Sequence, residues 1–205
     1  MRITNLKAQK NKKRVNVYLD GKFAFGLDAD NLVKAGLKIG QELSEKEVEK
    51  LVFKNEFQKF YDRTLRLIAA RPRSEKEIRD YLKRKKALPS LIEKVIKKLI
   101  AVKQINDLEF AKWWLEQRSV FRPRGKIALK LELRQKGIDQ KLAEKLITKN
   151  VDELKLAKKA AQKKLKAFKN LEPLEFRKKM TGFLSRRGFS WETIKKTLEN
   201  LDQKG

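Results

Sequence analysis

Hydrophobic residues recur with helical spacing along most of the chain, and the pattern repeats at an offset of 51 residues. The segment "RPRSEKEIRDYLKRKKA" (71–87) is followed 51 residues later by "RPRGKIALKLELRQKGI" (122–138). Apolar residues of the middle helix align across three copies: Ile78, Leu129 and Met180, then Leu82, Leu133 and Leu184. Because each helix has one apolar stripe that a neighbour must cover, the pattern predicts three tandem units of three helices each.

These repeats predict a mainly α fold with a small β element in front. The N-terminal segment, a β-hairpin and a short helix, is expected to cover residues 1–55. The three-helix repeats are expected to cover 56–104, 105–150 and 151–205. Small helical modules in a row form an elongated and curved array.

The end of the middle helix differs between the copies. Gly137 and Gly188 lie at this position in the second and third copies, where glycine suits a left-handed C-cap conformation. The first copy has Lys86 there instead. We therefore expect the first copy to turn differently.

Residues 3–27 have the pattern of strands. In "RVNVYLDGKFAFGL", Asp20-Gly21 separates two β-prone runs, which is the preferred chemistry of a two-residue hairpin turn. One face of this hairpin is predicted to carry Tyr18, Phe23 and Phe25. The other face is predicted to carry Val15, Val17, Leu19 and Ala24. The aromatic residues either stack on bases or pack against the following helices, and packing is favoured because a lone hairpin is marginally stable.

Charge narrows the choice of partner. The chain has 53 Lys and Arg residues against 26 Asp and Glu residues, a net charge of +27. Such a chain repels itself unless an anionic partner or counterions screen it. Because neutralised phosphates supply most non-specific affinity for nucleic acid, DNA or RNA is the first partner to consider, ahead of a merely soluble basic surface.

Several classes of protein are disfavoured by what the sequence lacks. Without Cys there is neither a disulfide framework nor a thiolate metal site, which fits a reducing cytoplasm. The N-terminal stretch lacks the apolar region of a signal peptide, and no apolar run approaches the roughly 20 residues of a membrane-spanning helix. We expect a cytoplasmic protein that does not bind membranes.

Enzymatic chemistry is not expected either. The chain has no His, so the usual general base near neutral pH and any zinc site are absent. No phosphate-binding or dinucleotide-binding glycine motif occurs, and we expect no cofactor and no metal. The acidic segment "NDLEF" (106–110) suits either a magnesium-dependent nuclease or a helix cap in which Asn106 or Asp107 precedes a helix beginning at Leu108. A two-metal site needs several converging carboxylates, which favours the cap.

The segment "LKLAKKAAQKKLKAFK" (154–169) contains seven lysines and no acidic residue. Its apolar residues are predicted to form one stripe, made of Leu154, Ala157, Ala161, Leu165 and Phe168. Four lysines line up along another side and are candidate binding residues: Lys155, Lys159, Lys163 and Lys166. This helix suits phosphates, an acidic protein groove or, least well, an anionic membrane, and the alternative is a solvated face.

Arginine pairs recur near the middle helices. The candidate binding residues among them are Arg71 and Arg73, Arg122 and Arg124, and Arg186 and Arg187. The guanidinium fork suits phosphates and carboxylates alike. The structural alternative is the start of a helix, because Ser74 and Glu77 are spaced as a capping box, as are Ser44 and Glu47.

Trp113 and Trp114 are adjacent, so on a helix their side chains point about 100° apart and cannot both face one core. The predicted buried side carries Phe110, Ala111, Trp114 and Leu115. Trp113 is then the candidate exposed anchor for a partner or a base, with partial burial as the alternative.

Segments in all parts of the chain share a characteristic order and spacing. They are "RVNVYLDGKFAFGL" with the following "GLKIGQEL", "LRLIAARPRSEKEIRDYL", "DLEFAKWWLEQR", "GKIALKLELRQKGI" and "FLSRRGFSWETIKKTL". Together they resemble the RecX family, regulators of the bacterial RecA recombinase, over nearly the whole chain. The resemblance implies tandem three-helix units after a variable N-terminal segment, in agreement with the 51-residue offset.

The resemblance also implies a function. A RecX-like protein would be a non-enzymatic regulator, expected to act as a monomer. It would bind in the groove of the RecA–DNA filament and contact single- and double-stranded DNA. It would block filament extension or promote disassembly, and so lower ATP hydrolysis and strand exchange in recombination, DNA repair and the SOS response. The alternative is a general basic DNA-binding or architectural protein without a dedicated protein partner, and a carboxylate-dependent nuclease ranks third.

Overall fold

A computed structural model describes residues 1–10, 13–168 and 170–202. The strands in these residues are β1 (Ile3–Ala8), β2 (Arg14–Leu19) and β3 (Lys22–Asp28). The helices are α1 (Ala29–Lys34), α2 (Glu45–Ala70), α3 (Glu75–Arg84), α4 (Pro89–Ala101), α5 (Asp107–Phe121), α6 (Lys126–Gln135), α7 (Gln140–Asn150), α8 (Glu153–Phe168), α9 (Pro173–Ser185) and α10 (Trp191–Asp202). The last nine of these helices form three three-helix repeats, α2–α4, α5–α7 and α8–α10, so the predicted fold class is confirmed.

The three strands form one antiparallel sheet in the order β1-β2-β3. The predicted hairpin turn between β2 and β3 is confirmed, because φ is positive at both of its residues, 48° at Asp20 and 81° at Gly21. Outside the hairpin, β1 pairs along β2, with Ala8 opposite Val15. The sheet therefore extends over the segment in which the sequence predicts strands.

A β-bulge near the turn changes which side chains share a face. Tyr18 pairs with Phe23. The residue before Tyr18 in β2, Val17, pairs with Phe25, so Ala24 is an extra residue in β3 without a partner in β2. Phe25 is therefore buried on the same side as Val17, while Phe23 is exposed and contacts Tyr18 edge to face. The prediction that Phe25 shares a face with Tyr18 and Phe23 was wrong, because the bulge inverts the alternation beyond it.

The described residues of 1–70 and 81–101 form one compact unit, called unit 1 here. The buried side of the sheet packs against Leu37 and Leu43 and against partly buried residues at the start of α2. The buried Asn55 fixes α2 to β3, because its amide nitrogen donates to the carbonyl of Gly26 at 2.9 Å and its oxygen accepts from the Asp28 N–H at 3.2 Å. The sheet thus has the helical cover that a small hairpin needs.

The long helix α2 begins at the predicted capping box. The Ser44 N–H donates to Glu47 Oε2 at 2.8 Å, and the Glu47 N–H donates to Ser44 Oγ at 3.3 Å, so this box is confirmed. The helix then runs for 26 residues, through the position where the N-terminal segment was predicted to end. The first helix of repeat 1 is therefore continuous with the helix that covers the sheet.

The described residues of 71–80 and 102–202 form the second compact unit, called unit 2. It contains repeats 2 and 3 together with the first turns of α3. The aligned apolar residues of its middle helices are fully buried: Ile78, Leu129, Leu133, Met180 and Leu184. The apolar period of the sequence therefore identifies the core side of each middle helix correctly.

All three middle helices end in the same left-handed turn. The φ angle is 58° at Lys86, 81° at Gly137 and 76° at Gly188. Each turn is closed by the same backbone hydrogen bond pattern, with the N–H of the next residue donating to a carbonyl five positions earlier. The expectation that the first copy turns differently was wrong. The hydrogen bonds that close the turn outweigh the free-energy cost of placing Lys86, a non-glycine residue, in the left-handed conformation.

Lys86→Gly is expected to stabilise unit 1 by about 0.5–1 kcal/mol, because glycine removes the strain of a side chain at positive φ. Lys86 is exposed, so the substitution removes no core packing. Urea unfolding of both proteins, followed by circular dichroism, measures the difference. Unchanged or lower stability would show that the turn stores no strain.

Candidate nucleic-acid and filament interface

Unit 2 contains two equivalent junctions between successive repeats. In each, the residue before a middle helix contacts the turn that ends the middle helix of the next repeat. At the first junction, Ser74 Oγ donates to the carbonyl of Lys136 at 2.7 Å. At the second junction, 51 residues further along, the Gly125 N–H donates to the carbonyl of Arg187 at 3.0 Å. The arginine pairs that precede both middle helices therefore lie at the junctions.

A carboxylate from the next repeat caps the middle helix at each junction. Asp107 accepts from the Glu75 N–H at 2.8 Å, and Glu153 accepts from the Lys126 N–H at 2.8 Å. Burial raises the pKa of Asp107, in spite of the opposing hydrogen bond from the Glu75 N–H. Both carboxylates belong to the first residue of the next repeat's first helix, so they hold the arginine segments against that repeat.

The acidic segment at 106–110 serves as helix caps. Asn106 Oδ1 accepts from the Leu108 N–H at 2.9 Å and from the Glu109 N–H at 3.3 Å, so Asn106 is the N-cap of α5. Asp107 instead caps α3. Within the described residues, no group of three or more Asp or Glu residues is placed to hold a metal ion. The capping interpretation of this segment is therefore confirmed.

Three side chains form an ion-pair cluster at the first junction. Arg71 makes two hydrogen bonds to the carboxylate of Glu77, at 2.9 and 3.0 Å, and Lys136 also donates to that carboxylate. Ser74 Oγ does accept from the Glu77 N–H at 3.2 Å. Half of the predicted capping box is thus confirmed, and the other half was wrong because the Glu77 carboxylate faces cations instead.

Glu77→Gln is expected to destabilise unit 2 by about 1–2 kcal/mol at neutral pH. Burial alone would raise the pKa of Glu77, but the hydrogen bonds and charges of Arg71 and Lys136 hold this pKa below its ordinary value. The carboxylate therefore stabilises the fold above its ordinary pKa, and this contribution is lost as the pH falls through the lowered pKa.

Urea unfolding followed by tryptophan fluorescence reports on unit 2, because all three tryptophans lie in it. The stability difference between the Glu77→Gln variant and the unchanged protein should close in acid. A difference that persists below the lowered pKa would contradict this explanation.

Both tryptophans of α5 are half-buried, and cationic side chains lie over the rings of both. The guanidinium of Arg71 lies 5.7 Å from the Trp113 ring centroid. Over the Trp114 ring, the guanidinium of Arg118 lies at 4.4 Å and the ammonium of Lys136 at 4.9 Å. Trp113 is thus partly buried, the alternative to an exposed anchor. Trp114 lies on the predicted side, partly buried against the core, and its Nε1 donates to Glu132 at 2.9 Å.

Three arginines meet at the second junction. Arg187 donates to the carbonyl of Pro123 at 3.2 Å, which places it against the segment that carries Arg122 and Arg124. Burial, followed by the charges of Arg124 and Arg122, lowers the pKa of Arg187. The guanidinium of Arg187 also lies 4.5 Å from the Phe183 ring centroid. The structure therefore brings Arg122, Arg124 and Arg187 together.

The two remaining arginine candidates have other surroundings. Arg73, the counterpart of Arg124, is half-buried, and its Nε has no hydrogen-bond partner in the part of the chain that the structure describes. Burial and the charge of Arg71 lower the pKa of Arg73. Arg186 is exposed and lines a shallow groove with Phe168 and Gly182.

The lysines of α8 divide into two kinds. Lys159 and Lys163 donate to the last carbonyls of α5, Lys159 to Ser119 at 2.9 Å and Lys163 to Phe121 at 3.1 Å, so they stabilise the negative end of that helix. Lys155 and Lys166 are exposed. The predicted apolar stripe of α8 was incomplete, because the structure also buries Leu156 and Ala160.

Models of the RecX family match four parts of the chain. They are the regulatory protein RecX N-terminal domain over 1–44 and the first, second and third three-helix domains over 61–99, 106–147 and 151–198. The chain belongs to the RecX family of regulatory proteins. It is similar to regulatory protein RecX of Bacillus pumilus (strain SAFR-032), with 37% identity over 200 residues, 96% of this chain and 76% of the relative. It is 35% identical to regulatory protein RecX of Bacillus subtilis (strain 168), over 98% of this chain and 77% of the relative.

Solved structures of the RecX family have a similar fold. A crystal structure of regulatory protein RecX superposes with a TM-score of 0.68 at 28% identity, covering 97% of this chain and 98% of that chain. RecX from Lactobacillus salivarius superposes with a TM-score of 0.63 at 25% identity, covering 73% of this chain and 99% of the other. Among the helices that the structure describes, none is long and apolar enough to span a bilayer.

Sequence reasoning missed several residues that organise this junction surface. They are Arg118, Glu132, Lys136 and Phe183, and the ion-pairing role of Glu77 was also missed. The 51-residue offset carries a signal for one of them, because it pairs Lys136 with the candidate Arg187. The positions of the others depend on contacts between different helices, and the spacing of residues along one helix does not predict such contacts.

Proposed function

We propose that this RecX-family chain binds the RecA–DNA filament and inhibits its extension, ATP hydrolysis and strand exchange in DNA recombination and repair. The observation that carries the proposal is the set of cations held at the repeat junctions of unit 2. The chain would act without catalysis, as a monomer, in the cytoplasm. Its role in the SOS response would follow from control of the same filament.

The junction cations are suited to an anionic partner because their positions are set before binding. Arg187 is held by the Pro123 carbonyl, and Arg118 by Glu132 at 2.7 Å. Held side chains lose less conformational freedom on binding than free ones. Together with the net charge of +27, they supply both attraction to a polyanion and fixed points of contact.

A general basic DNA-binding protein is the second candidate, and the charge of the whole chain favours it. The two functions differ in the affinity for DNA with and without the recombinase. A filament regulator should bind a RecA–single-stranded DNA filament more tightly than the same DNA alone at the same salt concentration. Equal affinity for both would support the general DNA-binding protein, because phosphate contacts alone depend on salt in both cases.

Charge reversal at three exposed candidates tests whether the predicted surface makes the contact. The triple variant Arg122→Glu, Lys155→Glu and Lys166→Glu is expected to bind the filament about a hundredfold more weakly, because it removes several contacts to anions. The control variant, Lys22→Glu, Lys34→Glu and Lys46→Glu, makes the same change in net charge at exposed lysines of unit 1. Equal losses in both variants, measured by fluorescence anisotropy, would sink the assignment of the surface.

A further inference from the structure

The two repeat junctions of unit 2 differ at one charged position. The offset of 51 residues relates their side chains in pairs: Arg71 to Arg122, Arg73 to Arg124, Lys136 to Arg187 and Glu77 to Ala128. Three cations therefore recur at the second junction, where each is an arginine. The carboxylate that accompanies them at the first junction does not recur.

The first junction shows how an anion fits among these cations. The Glu77 carboxylate accepts two hydrogen bonds from Arg71 and one from Lys136. Its side chain is only 15% exposed, so it lies within the cluster rather than above it. The first junction is thus closed by an anion from its own chain.

In the described ranges, the second junction has no carboxylate that joins its cations in the way Glu77 does at the first. No carboxylate of residues 1–10, 13–168 or 170–201 forms an ion pair with Arg122 or Arg187, and the side-chain hydrogen bond of Arg187 goes to the Pro123 carbonyl. Arg124 has one nearby carboxylate, Glu132, whose Oε1 lies 3.4 Å from Arg124 Nε, and Glu132 is already hydrogen bonded to Arg118. Arg122 is exposed, so an anion can approach the cluster from solvent.

The backbone of the second junction is held tightly, which fixes the arginines that it carries. The Gly125 N–H donates to the Arg187 carbonyl at 3.0 Å, and the Ile127 N–H donates to the Gly188 carbonyl at 3.2 Å. Arg187 uses one of its five N–H donors on the Pro123 carbonyl, which leaves others for a ligand.

We propose that Arg122, Arg124 and Arg187 form a binding site for phosphodiester groups of DNA, taking at the second junction the place that Glu77 fills at the first. The proposal rests on the DNA contact in the proposed function and locates it. Guanidinium groups bind phosphate oxygens in pairs of parallel hydrogen bonds. Three permanent charges suit a strand, because neighbouring phosphates follow one another along it.

A variant that closes the second junction in the manner of the first provides the test. Ala128→Glu places a carboxylate at the position equivalent to Glu77. It is expected to weaken binding of fluorescein-labelled oligo(dT) about tenfold at low salt, because the new carboxylate competes with phosphate for the same donors. The slope of log affinity against log salt concentration should also become shallower by about 0.7 for each phosphate that the variant no longer binds.

Two controls separate this effect from size and from net charge. Ala128→Gln adds the same volume without charge, and its affinity should stay close to that of the unchanged protein. Leu174→Glu adds the same charge at a residue that is 82% exposed. Leu174 lies in the first turn of α9, and the length of this helix, about 18 Å, separates it from the end that leads to Arg187. Thermal unfolding of each variant shows whether it is folded before its affinity is compared.

Removing the carboxylate at the first junction is a second, independent experiment. Glu77→Gln removes the internal anion, and it is expected to tighten oligo(dT) binding several-fold and to steepen the salt dependence. The matched control is Glu109→Gln, which removes a carboxylate paired with Lys112 on the exposed side of α5. An increase that exceeds the one in Glu109→Gln would show that a junction cluster without its internal carboxylate binds phosphate, as proposed for the second junction. Equal affinities of the two variants would count against that comparison.

The outcomes distinguish this site from the proposed function as a whole. If Ala128→Glu and Leu174→Glu bind oligo(dT) equally well, the phosphate site is refuted. If they do so while Ala128→Glu alone loses affinity for the RecA filament, the arginines bind a carboxylate of the recombinase instead, and filament regulation stands. The oligo(dT) arm contains no recombinase, so its failure says nothing against filament binding.

Discussion

Gly125→Ala is expected to destabilise unit 2 by about 3 kcal/mol, because it forces a methyl group into the backbone of the second junction. A Cβ at Gly125 would lie 2.0 Å from the carbonyl oxygen of Gly188 and 2.3 Å from the nitrogen of Phe189. Neither is the end of a flexible side chain, so relief requires the two repeats to separate. The φ of −73° at Gly125 is open to any residue, so the loss comes from the contact and not from strain.

Gly182→Ala is the matched control for this prediction. It is the same substitution in the same unit, but its Cβ would meet only the guanidinium end of Arg186, at 3.2 Å. Gly182 lies inside α9, where alanine is the better helix former by up to about 1 kcal/mol. We expect this variant to be as stable as the unchanged protein or more stable.

Urea unfolding followed by tryptophan fluorescence measures both variants on unit 2. Amide hydrogen exchange locates the loss, and we expect faster exchange in α6, α9 and α10 in particular. A Gly125→Ala variant that matches Gly182→Ala in stability would show that the repeats do not pack in the way described.

Glu153→Ala is expected to cost about 3 kcal/mol, because its carboxylate joins three helix starts. Besides the Lys126 N–H, it accepts from the hydroxyl groups of Ser190 and Thr193, both at 3.0 Å. Ser190 in turn caps α10 by accepting from the Thr193 N–H. Removing the carboxylate leaves the partly buried Lys126 N–H and the Thr193 hydroxyl without their acceptor, and the Ser190 hydroxyl keeps only Thr193 Oγ1, at 2.8 Å.

The neighbouring Asp152→Ala provides a control of the same charge. The Asp152 carboxylate accepts from the Lys155 N–H of the helix that it caps, at 3.0 Å, so its loss should cost the usual value of an N-cap, about 1 kcal/mol. Unfolding experiments on both variants give the comparison. Equal losses would mean that the Glu153 carboxylate contributes no more than a single helix cap.

The repeats and their core could be predicted because apolar spacing depends on local geometry alone. A helix that buries Leu129 and Leu133 must present them one turn apart, and the same spacing recurs 51 residues on. The left-handed turn at Lys86 was missed because residue preference is weaker than the hydrogen bonds that close the turn. The bulge at Ala24 was missed because an extra residue in a strand leaves no mark in hydropathy.

The candidate interface was predicted as residue types rather than as an arrangement. The arginine pairs were found because they recur. Their different surroundings depend on the equivalent positions 77 and 128, where one copy has the charged Glu77 and the other has the uncharged Ala128. Lys159 and Lys163 look like free cations in the sequence, since their acceptors lie about 40 residues away in α5. Contacts of this kind follow from how helices pack, which spacing along one helix does not specify.

The most direct measurement is ATP hydrolysis by the cognate RecA recombinase on saturating single-stranded DNA, with this protein titrated from far below the recombinase concentration up to equality. Filament regulation predicts inhibition well below stoichiometric amounts, because one bound molecule affects many recombinase subunits. Inhibition that begins only when enough protein is present to cover the DNA would contradict it. That result would mean that the chain simply competes for phosphates.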